Sequence, residues 1–173
     1  MDFSSGIACG DTEIVWPTED HKATIVWLHD IGHNCKNSAE FVRQLNLPNV
    51  KWICPTAPIR PITFLGGGTQ TTAWADVSGI FENMEEDLVS FNSASLLVIN
   101  LLHHEPNNGL GGIGLGAAVA LYYASSYITG VVNINLQFIV GINGWLPAWR
   151  DHYPIIPQVI DDVRSWLTTN FQL

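Results

Sequence analysis

The run Thr24-Ile-Val-Trp-Leu28 restricts the fold of this chain more than any other feature. It is β-branched and apolar without polar alternation, so a strand built from it has two apolar faces and needs cover on both. That requirement describes a central strand of a parallel sheet. The run ends at His29-Asp30-Ile31-Gly32, and two further strands are expected. Val50-Lys-Trp-Ile-Cys54 is stopped by Pro55 and Pro58, and Leu136-Gln-Phe-Ile-Val140 leads into Gly144-Trp-Leu-Pro147. Helical spacing fills the gaps. Asn37 stands three before Glu40 as an N-cap, with Phe41, Val42 and Leu45 on one face. From Phe91 the series Ala94, Leu97, Val98, Leu101, Leu102 repeats at helical intervals, and Pro106 closes it. An alanine-rich helix is expected over 117–125. A terminal helix opens at Pro157 and carries Val159, Ile160, Val163, Trp166 and Leu167. Strands alternating with helices predict an α/β fold with a mostly parallel sheet flanked by helices, as a single domain over 1–173. A long Gly-, Pro- and Thr-rich stretch from Ala57 to Asn83 reads as a functional loop or disorder.

Composition narrows the function. The formal net charge of −9 would repel a polyanion, so nucleic acid is not an expected partner. No apolar run approaches the length of a membrane span, and the first residues carry no basic, apolar leader pattern. Asp2 stands where N-myristoylation needs glycine. Cys9, Cys35 and Cys54 are odd in number and widely spaced, which fits reduced structural thiols and a cytoplasmic setting. The acidic residues Glu82, Glu85, Glu86 and Asp87 read as a solvated loop leading into a helix. His103, His104 and Glu105 read as solvated side chains at a helix end.

The glycine-dense stretch Leu110-Gly-Gly-Ile-Gly-Leu-Gly-Ala-Ala118 carries the chemical information. Gly109, Gly111 and Gly114 meet a G-x-G-x-x-G dinucleotide pattern in form. Its context is lacking, because Glu105-Pro-Asn-Asn-Gly109 reads as turn rather than strand. Nor does any Asp or Glu follow before Arg150 to hold a ribose. The competing reading is a nucleophile elbow, G-x-S-x-G, with Gly114 in the serine's place between Gly112 and Gly116. Ala117 and Ala118 then supply the small residues that close strand–helix packing requires.

Other segments match in order and approximate spacing. They are Trp27-Leu-His-Asp-Ile-Gly32, Cys54-Pro-Thr-Ala-Pro58 with Arg60-Pro61, Gly66-Gly67-Gly68, Thr72-Ala-Trp-Ala-Asp76, Gly111 to Tyr122, and Gly141 to Pro147. On these motifs the chain resembles the acyl-protein thioesterases and carboxylesterases of the α/β-hydrolase fold, the plant-type members most closely. The resemblance runs from about residue 13 to the C-terminus. It implies hydrolysis of fatty-acyl thioesters on protein cysteines, or of small carboxylic esters, by a Ser-Asp-His triad. It implies no metal and no cofactor, and acylated proteins or small esters as partners. It places the general base at His152, oxyanion-hole N–H groups at Ile31 and Leu115, and a substrate groove near Trp74, Asp76 and Trp145.

Four departures accompany the resemblance. Gly114 has no nucleophilic atom, so no acyl-enzyme can form there. After Pro147 the chain goes almost directly to Arg150-Asp-His-Tyr153, so the family's late strand and its catalytic aspartate are absent against the family pattern. Asp30 replaces the glycine of the family's H-G-L-G loop, where an inward carboxylate would oppose a developing oxyanion. Asn107-Asn-Gly109 replaces apolar residues and is expected to weaken the central sheet. Ser125 and Ser126 lie roughly 16 Å down the helix from the elbow, and Cys54 reads as a small buried hydrophobe. Asp151, adjacent to His152, is poorly placed to orient it. His29 and His33 stand four apart on a strand end and loop, a poor zinc site. The expectation is a family frame that is catalytically inactive. A weakly active carboxylesterase with a non-standard nucleophile and a non-catalytic acyl-chain or partner-binding protein are the alternatives, and an unstable truncated fold is a further one.

Overall fold

The structure, a computed structural model, describes residues 10–79, 85–128 and 136–145. The expected terminal helix, the segment 146–173 where the family's late strand was expected to be absent, Asp151 and His152 lie outside the described residues, as do Asp2, Cys9 and Glu82. Among the described residues there are seven strands: β1 Thr12–Val15, β2 Ala23–Leu28, β3 Val50–Pro55, β4 Ile59–Pro61, β5 Gln70–Thr72, β6 Asn108–Ile113 and β7 Phe138–Ile142. The α-helices among the same residues are α1 Cys35–Gln44, α2 Leu88–Leu102 and α3 Leu115–Ile128. The main sheet has the order β1-β3-β2-β6-β7. Only β1 pairs antiparallel, and the β3, β2, β6 and β7 pairings are parallel.

Every residue of β2 is buried, as a strand covered on both faces requires. Val26 and Leu28 pack beneath α2 and α3 with Phe91, Val98, Leu115 and Val119. Ile25 and Trp27 point the other way, into a cluster with Trp52, Ala39, Val42 and Leu45 under α1. Trp27 stacks on Phe41 with ring centroids 5.1 Å apart and meets Trp52 edge-on. The mostly parallel, doubly covered sheet read from the sequence is the observed one.

The strand before the elbow corrects the expectation that Glu105 to Gly109 is turn alone. Asn108–Ile113 is a full central strand between β2 and β7. Its glycines make room for aromatic neighbours. The register sets Gly111 opposite Trp27 and Gly109 opposite Phe138. A Cβ on Gly111 would stand 2.6 Å from Trp27 Cε3, and one on Gly109 2.6 Å from Phe138 Cε2. The rings cover the glycines and supply the apolar area the strand itself lacks. Because Gly109 and Gly111 belong to the strand, they form no phosphate loop, which removes the dinucleotide reading on geometry as well.

Helix starts differ from the sequence expectation by about a turn. Asn34, not Asn37, caps α1: its side chain accepts from Lys36 N at 2.9 Å, while the Asn37 side chain accepts from Asn34 N at 3.0 Å. Asn37 thus plays the returning role usually given to Glu in a capping box. Helix α2 begins at Leu88, capped by Asp87, whose Oδ1 accepts from Ser90 N at 3.1 Å. Asp87 also meets Arg60 at 3.3 Å, so within the acidic cluster it is a cap and ion-pair partner rather than a solvated charge. Glu105 departs in the same way. It accepts from Thr24 Oγ1 at 2.8 Å and from Lys51 Nζ at 2.5 Å, joining the starts of β2 and β3, whereas His103 and His104 are exposed. The stretch after Ala57 is not structureless, since β4 and β5 form a small antiparallel hairpin around a 3-10 turn, Thr63–Leu65.

Candidate active site

The parallel strands end at one edge of the sheet, where β2 runs into the loop 29–33 and β6 into Gly114. Gly114 has φ +56°, the left-handed region, and links β6 to α3. Its N–H donates to Ile142 O at 2.9 Å and its carbonyl accepts from Ala118 N at 3.0 Å, so the tight turn is held on both sides. The flanking glycines are needed for closeness. A Cβ on Gly112 would come within 2.5 Å of Gly116 C, and one on Gly116 within 2.7 Å of His29 O. This is the strand–turn–helix geometry of a nucleophile elbow, built around a residue with no side chain.

Asp30 fills the space above that turn. Its Oδ1 accepts from Ile31 N at 2.8 Å and from Leu115 N at 2.9 Å. These are the two N–H groups assigned to the oxyanion hole from the resemblance, and both point at one carboxylate oxygen. A Cβ built on Gly114 would fall directly on the Asp30 carboxyl group. The carboxyl group therefore sits on the donor pair that the resemblance implies for an oxyanion, and it crowds the position of a side chain at 114. The carboxyl group thereby stands at the N-terminus of a 14-residue helix, α3.

The loop that carries Asp30 is fixed by backbone contacts. His29 Nδ1 donates to Asp30 O at 2.6 Å, and His29 Nε2 accepts from Ala57 N at 2.9 Å. Both ring nitrogens are thereby used by the main chain, leaving no lone pair for a metal. Burial holds the His29 pKa below its ordinary value, against the raising effect of the Asp30 carbonyl and carboxylate. Trp74 is buried and donates its indole N–H to His29 O at 2.9 Å, with its ring 5.1 Å from the imidazole. Gly32 N–H donates to Thr72 O at 2.9 Å, and Thr72 Oγ1 donates to His33 O at 2.5 Å.

The remaining expected site residues fall as follows. Ile31 is half-buried against the α2/α3 core, and Leu115 is fully buried. Asp76 anchors the 3-10 turn, accepting from Thr63 N at 2.8 Å and from Thr63 Oγ1 at 2.6 Å. Trp145 packs half-buried against the α2/α3 core. His152 lies outside the described residues. Among alternative nucleophiles, burial pushes the Cys54 thiol up to about 12, and Ser125 Oγ donates to Tyr122 O at 2.8 Å. What residue-by-residue reading missed is that Asp30 and Gly114 meet. The signal was present, since an acid replaces a glycine in one loop while a glycine replaces a serine in the other.

An elbow after a central parallel strand, with one backbone donor from the facing loop and one from the head of the following helix, defines the α/β-hydrolase class. Residues 9–153 match the family model described as phospholipase/carboxylesterase, and the chain belongs to that family. It is 30% identical over 141 residues to acyl-protein thioesterase 1 homolog 2 of Dictyostelium discoideum, covering 74% of this chain and 60% of that protein. It is 31% identical over 123 residues to lysophospholipase-like protein 1 of Mus musculus, covering 64% and 51% respectively. The chain thus spans between about half and three fifths of the length of these curated relatives. The crystal structure of Zea mays acyl-protein thioesterase 2 superposes with a TM-score of 0.84 at 31% identity, covering 94% of this chain and 99% of that one.

Proposed function

We propose that this chain keeps the acyl-protein thioesterase frame with its acyl-transfer centre closed, and that it acts by binding rather than by hydrolysis. One observation carries the reading: the Asp30 carboxylate accepts both N–H groups that face the elbow. The family reaction needs an oxygen nucleophile at the elbow and an empty pair of donors for the tetrahedral oxyanion. Gly114 offers no nucleophile, and an incoming oxyanion would meet a resident negative charge. The other nucleophiles do not replace the serine. Cys54 is buried and its thiol stays protonated at neutral pH, which argues against a weakly active esterase using it.

Acylated proteins or small esters are the ligand class this reading assigns, on the strength of the acyl-protein thioesterase relatives and without a cofactor. Cys35 and Cys54 are free thiols, which fits action in the cytoplasm. Among the described residues no helix is long and apolar enough to cross a membrane. The test combines a fluorophosphonate probe with a short-chain ester assay. Neither labelling nor turnover above the protein-free rate is expected, and either one overturns the reading.

A further inference from the structure

Obstruction is not the whole effect of Asp30, because the side chain also joins two separate segments of the fold. We propose that Asp30 is the resident ligand of the oxyanion site, clamping the loop after β2 onto the first turn of α3, and that it is interlocked with the glycine at 114. This deepens the closed-site reading and rests on it. One donor is Ile31, beside Asp30, and the other is Leu115 at the head of α3, 85 residues from Asp30 in sequence. One oxygen satisfies both, so the carboxylate does for the fold what a transient oxyanion does for a family enzyme. Gly114 permits this arrangement twice over. It adopts φ +56° without a Cβ penalty, and it leaves open the volume that the carboxyl group fills. A serine at 114 and a carboxylate at 30 cannot both occupy that volume, so the two replacements form one structural unit.

The site stays competent to hold an anion once its own is removed. Asp30 is only half-buried, so truncating it opens the donor pair to solvent rather than to a sealed void. A free small carboxylate then has two backbone donors and a helix N-terminus to bind.

Thermal unfolding of the full chain tests this with the variants Asp30→Ala, Asp30→Asn, Gly114→Ala and the Asp30→Ala/Gly114→Ala pair. Each is measured in sodium acetate and in sodium chloride at matched ionic strength. Asp30→Ala is expected to lower Tm by about 3–8 °C, and Asp30→Asn, which keeps a neutral acceptor, by about half as much. Acetate at about ten times its Kd should raise the Tm of Asp30→Ala by about 3–5 °C over chloride, with no differential shift in the unaltered chain. Gly114→Ala should cost less in the Asp30→Ala background than alone. An Asp30→Ala variant as stable as the parent, an equal acetate shift in both, or additive losses would each overturn the clamp. If Asp30→Ala does not fold, Asp30→Asn decides, and a Tm equal to or above the parent's rejects the proposal. Ester turnover by the unaltered chain would instead sink the closed-site reading, leaving these melting data to report on the clamp alone.

Discussion

At the elbow Gly114 has no side chain, and the Asp30 carboxyl group fills the space that one would take. A triad serine contributes on the order of a millionfold to turnover, but restoring it here meets two obstacles. The Asp30 carboxyl group overlaps the side-chain position at 114, and the segment expected to carry the family's catalytic aspartate has no match in the sequence pattern after Pro147. Gly114→Ser is therefore expected to leave ester turnover at background. Recovery to within about tenfold of an intact family member, about 1.4 kcal/mol in barrier, would contradict this. His29 makes a second prediction. It is held neutral by burial, so the unfolded chain gains a proton first as pH falls below about 6.5. Its stabilising contribution is complete above that pH and declines below it, by at most about 1.4 kcal/mol per pH unit, until the folded pKa is passed. Glu105 and Asp87, both lowered by their hydrogen bonds and ion pairs against the opposing effect of burial, lose their contributions only in more acid solution. Urea titrations at about pH 7.5 and about pH 5.5 should show a larger loss for the parent than for His29→Gln. Equal losses would place the sensitive group elsewhere. The identities of Asp30 and Gly114 were readable from the sequence as two separate departures. Their meeting was not, because the loop after β2 and the head of α3 come together only through the β2–β6 pairing.

At the element scale, periodicity found the apolar strands and missed the glycine-rich one. β2 and β3 carry their own apolar area, so Thr24 to Leu28 and Val50 to Cys54 announce themselves. β6 borrows its cover from Trp27 and Phe138 on its neighbours, a dependence invisible within Asn108 to Ile113. The same limit hid β1, a short edge strand, and the β4–β5 hairpin, which Asp76 ties down through Thr63. Caps were displaced because Asn34 and Asn37 both suit a helix start, and only the backbone bonds distinguish the cap from its partner. The aromatic–glycine pairing makes a direct prediction. Gly111→Val would drive its side chain into Trp27 and is expected to cost about 1–3 kcal/mol or more. A urea midpoint unchanged from the parent would show that the ring can move aside.

Over the described residues as a whole, the two core clusters on opposite faces hold the sheet edge in the family geometry, with or without chemistry at that edge. The polar network of Glu105, Lys51 and Thr24 sits at the opposite end of β2, where it fixes strand starts and stays clear of the elbow. The packing that holds the fold is thus separate from the elbow itself. The interior packing that specifies the α/β-hydrolase frame uses Trp27, Trp52, Trp74 and Phe91, none of which depends on a nucleophile. On the closed-site proposal, acyl transfer is what the site excludes, since Gly114 offers no attacking atom and Asp30 already accepts from both N–H groups. The most direct test is labelling by a fluorophosphonate probe together with hydrolysis of a short-chain ester, both on the unaltered chain. The account predicts no adduct and a rate equal to that without protein, whereas a covalent adduct or turnover lost on heat denaturation would contradict it.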